Sequence, residues 1–422
     1  MFPEDWHRAM KRNSDEIRVN MSSDVYRDSE MDLANILGKP DAPQADDARL
    51  QRNSYSWTAM AEYSHLVMAF VIQRFIRQIQ SDMLVLRREN SAEFTYDYQK
   101  KTSILTDGSI AFSHRDKVFV YTVATETHTP SNTLTGSGDI SEMVERINRE
   151  IKWNNPLRNK HIQIVQSGRR EYECLFKKPP DITLDQIICD PQMKEDIFDQ
   201  TILHFETIKG NNGIILHGKP GTGKSLCCQA IIAEALKRGF STCFLTTQVN
   251  YAILNEFLTK FLSPCIVVME DIDSFGESRE FRPNSDLADF LQFISGLYEH
   301  DEKIVFVATT NHIEYLDEAI AERPVRFNRK YKFNLPTPKE IDQLIELYFK
   351  GEGISQEQKA LCYNKRFTGS HIKEIQRTAE LLSRKHQKPI AEVFEQAVRI
   401  VAQNFSIPER SAGFRGGKRE EW

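Results

Sequence analysis

Eight residues, Gly218-Lys219-Pro220-Gly221-Thr222-Gly223-Lys224-Ser225, constrain this chain more than any other stretch. They follow the apolar run Gly213-Ile214-Ile215-Leu216-His217 and open an amphipathic stretch from Lys224 to Arg238 that stops at Gly239. Strand, glycine-rich loop and helix, in that order, form the setting in which this octet binds phosphate. The glycines let the backbone turn its N–H groups inward around a phosphate chain, and the helix N-terminus adds positive partial charge. Lys224 is placed to reach the outer phosphates. Ser225 is placed to take one coordination site of Mg²⁺, which keeps water and phosphate oxygens as its other ligands. Leu226, next in line, joins the expected nucleotide-binding positions. A chance glycine-rich turn is the competing reading, and the matched flanks weigh against it.

Such a loop needs a partner strand that ends in acids. The run Pro264-Cys265-Ile266-Val267-Val268-Met269-Glu270-Asp271-Ile272-Asp273 supplies one. Continuous Val/Ile is the signature of a parallel strand buried on both faces. Its C-terminal end lies where open α/β sheets bind ligands. One carboxylate there is expected to order the Mg²⁺ water shell and its neighbour to take a proton from the attacking water; solvated capping is the alternative. Ile304 to Asn311 repeats the pattern, a buried strand with a polar end. Asn311 is expected to hold the attacking water or sense the terminal phosphate, unless Thr309 to Asn311 only cap a turn. Leu316 to Arg329 then brings Arg323, Arg326 and Arg329 to the rim. They are either surface charges or guanidinium fingers that stabilise transition-state charge on a neighbour's ATP. Upstream, Leu184, Ile187, Ile188 and Cys189 precede a helix over Gln192–Thr207, and Ile188 flanks the adenine or fills the core.

The remaining chain sorts into five expected segments. At 422 residues there is room for two or three domains. Residues 1–55 are polar and read as a flexible segment, with one short helix near Met31–Leu37. Residues 56–178 read as a small α+β domain for substrate or oligomer contacts. It has a helix from Trp57 to about Arg88, then short strands with a turn at Asp107-Gly108 and a polar loop over Glu126–Gly138. A helix with Met143, Ile147 and Ile151 on one face follows, and strands His161–Gln166 and Tyr172–Phe176 close the domain. Lys177-Lys178-Pro179-Pro180 marks the boundary. Residues 179–335 form the α/β nucleotide-binding subdomain, with a further helix over Ser285–Glu299. Residues 336–404 form a helical lid, with helices Pro338–Phe349, Ser370–His386 and Ile390–Ala402. Residues 405–422 are a flexible tail whose basic patch is either solvated or a nucleic-acid contact. The net charge of −5 supplies no global basic field for nucleic acid. Seven scattered cysteines and an N-terminus without a secretory pattern point to reduced thiols in a cytoplasmic compartment. The best transmembrane candidate, His65 to Ile79, is too short and is broken by Gln73, Arg74 and Arg77.

Taken together, these residues resemble the AAA family of AAA+ ATPases over roughly Asp181 to Ala402. The likeness rests on the octet, the acidic strand end, Thr-Thr-Asn at the sensor-1 position, the stretch Leu316 to Arg329, and Phe367-Thr368-Gly369-Ser370 before the sensor-2 helix. Within the family the chain is most similar to the assembly ATPases of mitochondrial respiratory complex III and their bacterial and phage relatives. The Glu270-Asp271 order and the short segment between Thr247 and Ile266 point that way. The resemblance implies a P-loop NTPase fold with a parallel sheet and helical lid, ATP and Mg²⁺ as ligands, and a bacterial or phage-infected host cytoplasm. It places Glu270 at the metal, Asp271 as general base, Gly369 and Ser370 at the nucleotide, and Arg326 and Arg329 as fingers acting in trans, with Arg323 weaker. Fingers in trans imply a homo-oligomeric ring, a hexamer or heptamer. The expected function is a ring ATPase that remodels, assembles or translocates a macromolecular partner, a protein by preference. An ATP-gated switch with little hydrolysis and a nucleic-acid motor or loader are the alternatives. The familiar aromatic-glycine pore loop is missing; Tyr251 is a possible substitute or a core residue.

Overall fold

Two sheets share one apolar core. The computed structural model describes residues 52–79, 83–96, 100–115, 117–125, 130–166, 172–207, 210–245, 250–272, 293, 303–314 and 327–404. The expected helices near Met31–Leu37 and over Ser285–Glu299 lie outside these residues, apart from Phe293. Strands β1 (Arg52–Trp57), β2 (Leu84–Thr95), β3 (Lys101–His114), β4 (Lys117–Ala124) and β5 (Ser131–Ser137) form the first sheet, in the order β1-β5-β4-β3-β2. Helix α1 (Glu62–Ile79) touches β3 and β5 of this sheet and helix α2 (Ser141–Trp153). Val67, Met68, Ala69, Val71 and Ile72 of α1 are all fully buried, as expected of the one stretch of this helix, Leu66 to Ile72, that is apolar on every side.

Several sequence expectations shift here. The helical pattern begun at Trp57 covers only α1, with β1 before it and β2 after it. Asp107-Gly108 is no turn but the middle of β3, paired to Ala124 and Val123. The polar stretch read as a loop contains β5, because its polar side chains are satisfied inside the protein. Asn132 is buried, accepts from the Tyr121 hydroxyl, and donates to the His65 carbonyl at 3.2 Å. A hydrogen-bonded buried amide replaces the apolar residue that periodicity looks for.

The second sheet has the order β12-β8-β11-β10-β9-β6-β7. It comprises β6 (His161–Gln166), β7 (Tyr172–Lys177), β8 (Asn212–Gly218), β9 (Ser241–Leu245), β10 (Cys265–Met269), β11 (Ile304–Thr310) and β12 (Arg329–Phe333). All neighbours pair in parallel except β6 with β7. Strands β6 and β7 were expected to close the N-terminal domain. Instead they extend the nucleotide-binding sheet: β6 pairs with β9, and His161 Nδ1 lies 3.0 Å from Thr242 Oγ1. Burial pushes this imidazole down to about 4, so it stays neutral in that contact.

Packing also crosses the expected boundary at 178/179. One apolar cluster runs from Trp57 through Ile162 to Phe306, and α1 touches β7. Helix α6 (Tyr251–Phe257) and the π-helical turn Leu258–Leu262 are the docking points. Asn155 Nδ2 donates to the Phe261 carbonyl at 2.9 Å and Lys260 Nζ to the Thr58 carbonyl at 2.7 Å.

On the other face of the second sheet lie α3 (Pro191–Phe198), continued by a π turn into α4 (His204–Thr207), and α5 (Lys224–Lys237). The lid is α7 (Pro338–Phe349), α8 (Gln356–Asn364), α9 (Gly369–His386) and α10 (Ile390–Asn404) around its own core. Thr337, Pro338 and Glu340 start α7 with a capping box. Helix α8 adds a fourth helix to the three that the sequence predicts for the lid. Among the described residues no helix is long and apolar enough to cross a membrane.

Candidate functional site

The octet begins at the last residue of β8 and ends at the start of α5. Gly223 is the N-cap of α5 with φ +109°, a left-handed turn that delivers Lys224 into the first helical position. Lys224 is only 6% exposed. Its ammonium donates to the carbonyls of Gly218 at 2.7 Å and Lys219 at 3.1 Å, and to Asn311 Oδ1 at 2.8 Å. Thr222 Oγ1 donates to the Lys219 carbonyl at 2.8 Å and closes the loop. The loop is thus organised around its own lysine, with Pro220 and Gly221 at the turn.

Strand order explains why Asn311 reaches this loop. Strand β11 lies beside β8 with its last residue, Thr310, opposite His217, so Asn311, the first residue beyond the strand, comes level with the start of the octet. On its other side β11 lies beside β10, with Ala308 opposite Met269. Asn311 Nδ2 donates to Asp271 Oδ1 at 3.2 Å, and the Asp271 N–H donates to Thr309 Oγ1 at 3.0 Å. A continuous polar line therefore runs Lys224–Asn311–Asp271 along the C-terminal edge of three parallel strands, where α/β sheets bind ligands. Glu270 is half-buried and Ser225 exposed. A hydroxyl and a carboxylate are hard oxygen donors, which fits Mg²⁺ held mainly by water and phosphate oxygens. Among the described residues no cluster of three or more His, Cys, Asp or Glu side chains would cage a metal on its own.

The lid touches the loop directly. Ser370 N–H donates to the Gly221 carbonyl at 3.3 Å. Gly221 has φ +75°, and a Cβ there would lie 2.1 Å from Ser370 Oγ and 2.7 Å from Thr368 Oγ1. Gly221→Ala is expected to push the lid off the loop and lower kcat/KM for ATP by about 10- to 100-fold, read from steady-state phosphate release. His371, in the first turn of α9, bonds locally: its Nδ1 lies 2.6 Å from Thr368 Oγ1 as part of the capping box, and its ring stacks on Phe367. Lys373 instead lines a cleft of about 880 Å³ together with Ile182, Leu226, Glu270, Leu347 and Tyr348. Leu226 thus lines the same cleft as the lid residues Leu347, Tyr348 and Lys373. Ile187 packs into the sheet core and Ile188 against the lid core, so this pair links the two cores, while Gly369 at the start of α9 lies against Gly221 and Leu344.

Arg323 and Arg326 lie outside the described residues. Arg329 is exposed at the first residue of β12, level with Ile214 rather than Gly218, with its Nε 3.8 Å from Asp196 Oδ2. Tyr251 is half-buried and stacks on Phe293 at 5.1 Å, a packing role. Thr309, read as a possible turn cap, proves to touch Asp271; the register of β10 with β11 carries that information, and no motif does.

Residues 214–335 match the family described as "ATPase family associated with various cellular activities (AAA)". Among curated proteins, the ATP-dependent zinc metalloprotease FtsH of Mycoplasma pneumoniae is 29% identical over 189 residues, 40% of this chain and 26% of that protein. FtsH of Mycoplasmoides gallisepticum is 30% identical over 187 residues, 40% and 24% of the two chains. FtsH 2 of Salinibacter ruber is 25% identical over 238 residues, 51% and 35%. The chain thus spans about a quarter to a third of the length of these relatives. No His-Glu-x-x-His zinc-protease run occurs in the 422 residues. A solved structure described as the structural basis for katanin self-assembly aligns at 22% identity with a TM-score of 0.40, covering 54% of this chain and 85% of that one. The octet, the acidic strand end, and strands β9, β10, β11 and β12 lie within the matched segment, and residues 214–335 are thus similar to the ATPase domain of the AAA family.

Proposed function

We propose that this chain is a Mg²⁺-dependent ATP hydrolase that acts as a homo-oligomeric ring and uses hydrolysis to remodel, assemble or move a protein partner. The observation that carries the reading is the line Lys224–Asn311–Asp271, which couples the phosphate loop to a carboxylate. Lys224 neutralises charge on the outer phosphates. Asp271 accepts a proton from the attacking water, and Asn311 holds that water in place. Ser225 and Glu270 would hold Mg²⁺, which would draw charge from the phosphate oxygens. Arg326 or Arg329 from a neighbouring subunit completes the site.

The Glu270-Asp271 order supports an assembly-type AAA protein of the complex III kind over a processive unfoldase. It also supports a second reading, an ATP-gated switch with slow turnover, because aspartate is one methylene shorter than glutamate. Steady-state phosphate release separates the two. In the ring hydrolase, turnover per subunit rises with protein concentration. Arg326→Ala keeps ATP binding and loses about 10³-fold in kcat; normal turnover in that variant removes the finger assignment. The partner is identified by holding tagged Asp271→Asn in Mg-ATP and analysing what remains bound. A single protein lost in Lys224→Ala supports remodelling, and co-purifying nucleic acid overturns the protein-partner reading.

A further inference from the structure

Asp271 is a short carboxylate in a position that demands reach, and its backbone is unusual. Its φ is +50°, in the left-handed region that non-glycine residues seldom occupy, although aspartate enters it more readily than most. Such conformations persist only where surrounding contacts hold them. The contact here is Thr309. The parallel register of β10 with β11 ends at Met269 opposite Ala308. The next residue of β11, Thr309, is 1% exposed, and its Oγ1 accepts the Asp271 N–H at 3.0 Å. Two residues further along, Asn311 Nδ2 donates to Asp271 Oδ1 at 3.2 Å. One segment of chain therefore grips Asp271 at both ends, backbone by Thr309 and carboxylate by Asn311.

We propose that Thr309 is a positioning residue for hydrolysis: its hydroxyl pins the left-handed turn at Asp271 and so carries a carboxylate one methylene short to the place where water is activated. This rests on Asp271 being the base. Without the hydroxyl, the Asp271 N–H loses its acceptor and the backbone is free to return to negative φ, which turns the side chain away from Asn311. The reaction still binds ATP through Lys224, which Thr309 does not touch. The effect falls on turnover and spares binding.

The test uses the full chain in Mg-ATP. Thr309→Val keeps the shape of threonine and deletes the acceptor; Thr309→Ser keeps the acceptor and deletes a methyl. The expected result is a kcat about 10- to 100-fold down for Thr309→Val, with ATP binding within about 2-fold of wild type, and near-complete rescue in Thr309→Ser. A residue that only packs the core gives the opposite ranking, valine active and serine impaired, and that ranking overturns the proposal. If valine prevents folding, Thr309→Ala against Thr309→Ser gives the same comparison. In an Asp271→Asn background, Thr309→Val should change nothing further, because it acts through Asp271. Wild-type turnover in Asp271→Asn alone removes the base assignment. Full turnover in Thr309→Val beside an inactive Asp271→Asn removes only the positioning role.

Discussion

Lys224→Ala is expected to abolish measurable ATP turnover and weaken nucleotide binding by about 10²- to 10³-fold. The ammonium is buried and spends hydrogen bonds on Gly218 O, Lys219 O and Asn311 Oδ1. Removing it has three consequences. The loop loses the donor that gathers its carbonyls. The outer phosphates lose a positive charge in a site where water screens little, and a charge-assisted hydrogen bond is worth about 1.5–3 kcal/mol. Asn311 loses the donor that holds its amide toward the loop, so its grip on Asp271 loosens. Titration of Mg-ATP by calorimetry and phosphate release at saturating ATP read the two effects separately. Turnover within tenfold of wild type would show that the octet does not hold the reacting phosphates.

Asp271→Asn is the second large effect, and it separates binding from chemistry. The amide matches the carboxylate in shape but accepts no proton from water, so kcat should fall by about 10²- to 10⁴-fold. ATP binding should stay within a few-fold, because Lys224, Ser225 and the loop backbone are untouched. The contrast with Lys224→Ala is the point: one variant is empty and idle, the other loaded and idle. Single-turnover and binding measurements on both give the answer. A similar loss of binding in both variants would mean that Asp271 holds the nucleotide and that another group activates water.

Much of this site is legible in the sequence. The octet, the strands β8, β10 and β11, and helices α5, α7, α9 and α10 are encoded in short stretches whose signals are local. Those signals are glycines at forced turns, unbroken Val/Ile runs in strands buried on both faces, and the Thr337-Pro338 cap with Glu340. Local hydrogen bonds and periodicity need only a dozen residues to express themselves. The sequence by itself therefore determined the nucleotide loop, the acidic strand end and the helical lid.

Tertiary structure decided which strands belong together and which side chains meet. Strands β6 and β7 read as closing the N-terminal domain, yet they extend the nucleotide-binding sheet, because an alternating strand carries no label for its partner. Strand β5 was hidden because its buried Asn132 is satisfied by Tyr121 and His65, two residues distant in sequence. The Thr309 contact with Asp271 depends on how β10 and β11 register, 38 residues apart. Each of these was settled by burial and pairing between segments far apart in the chain, where the competing arrangements satisfy local rules equally well.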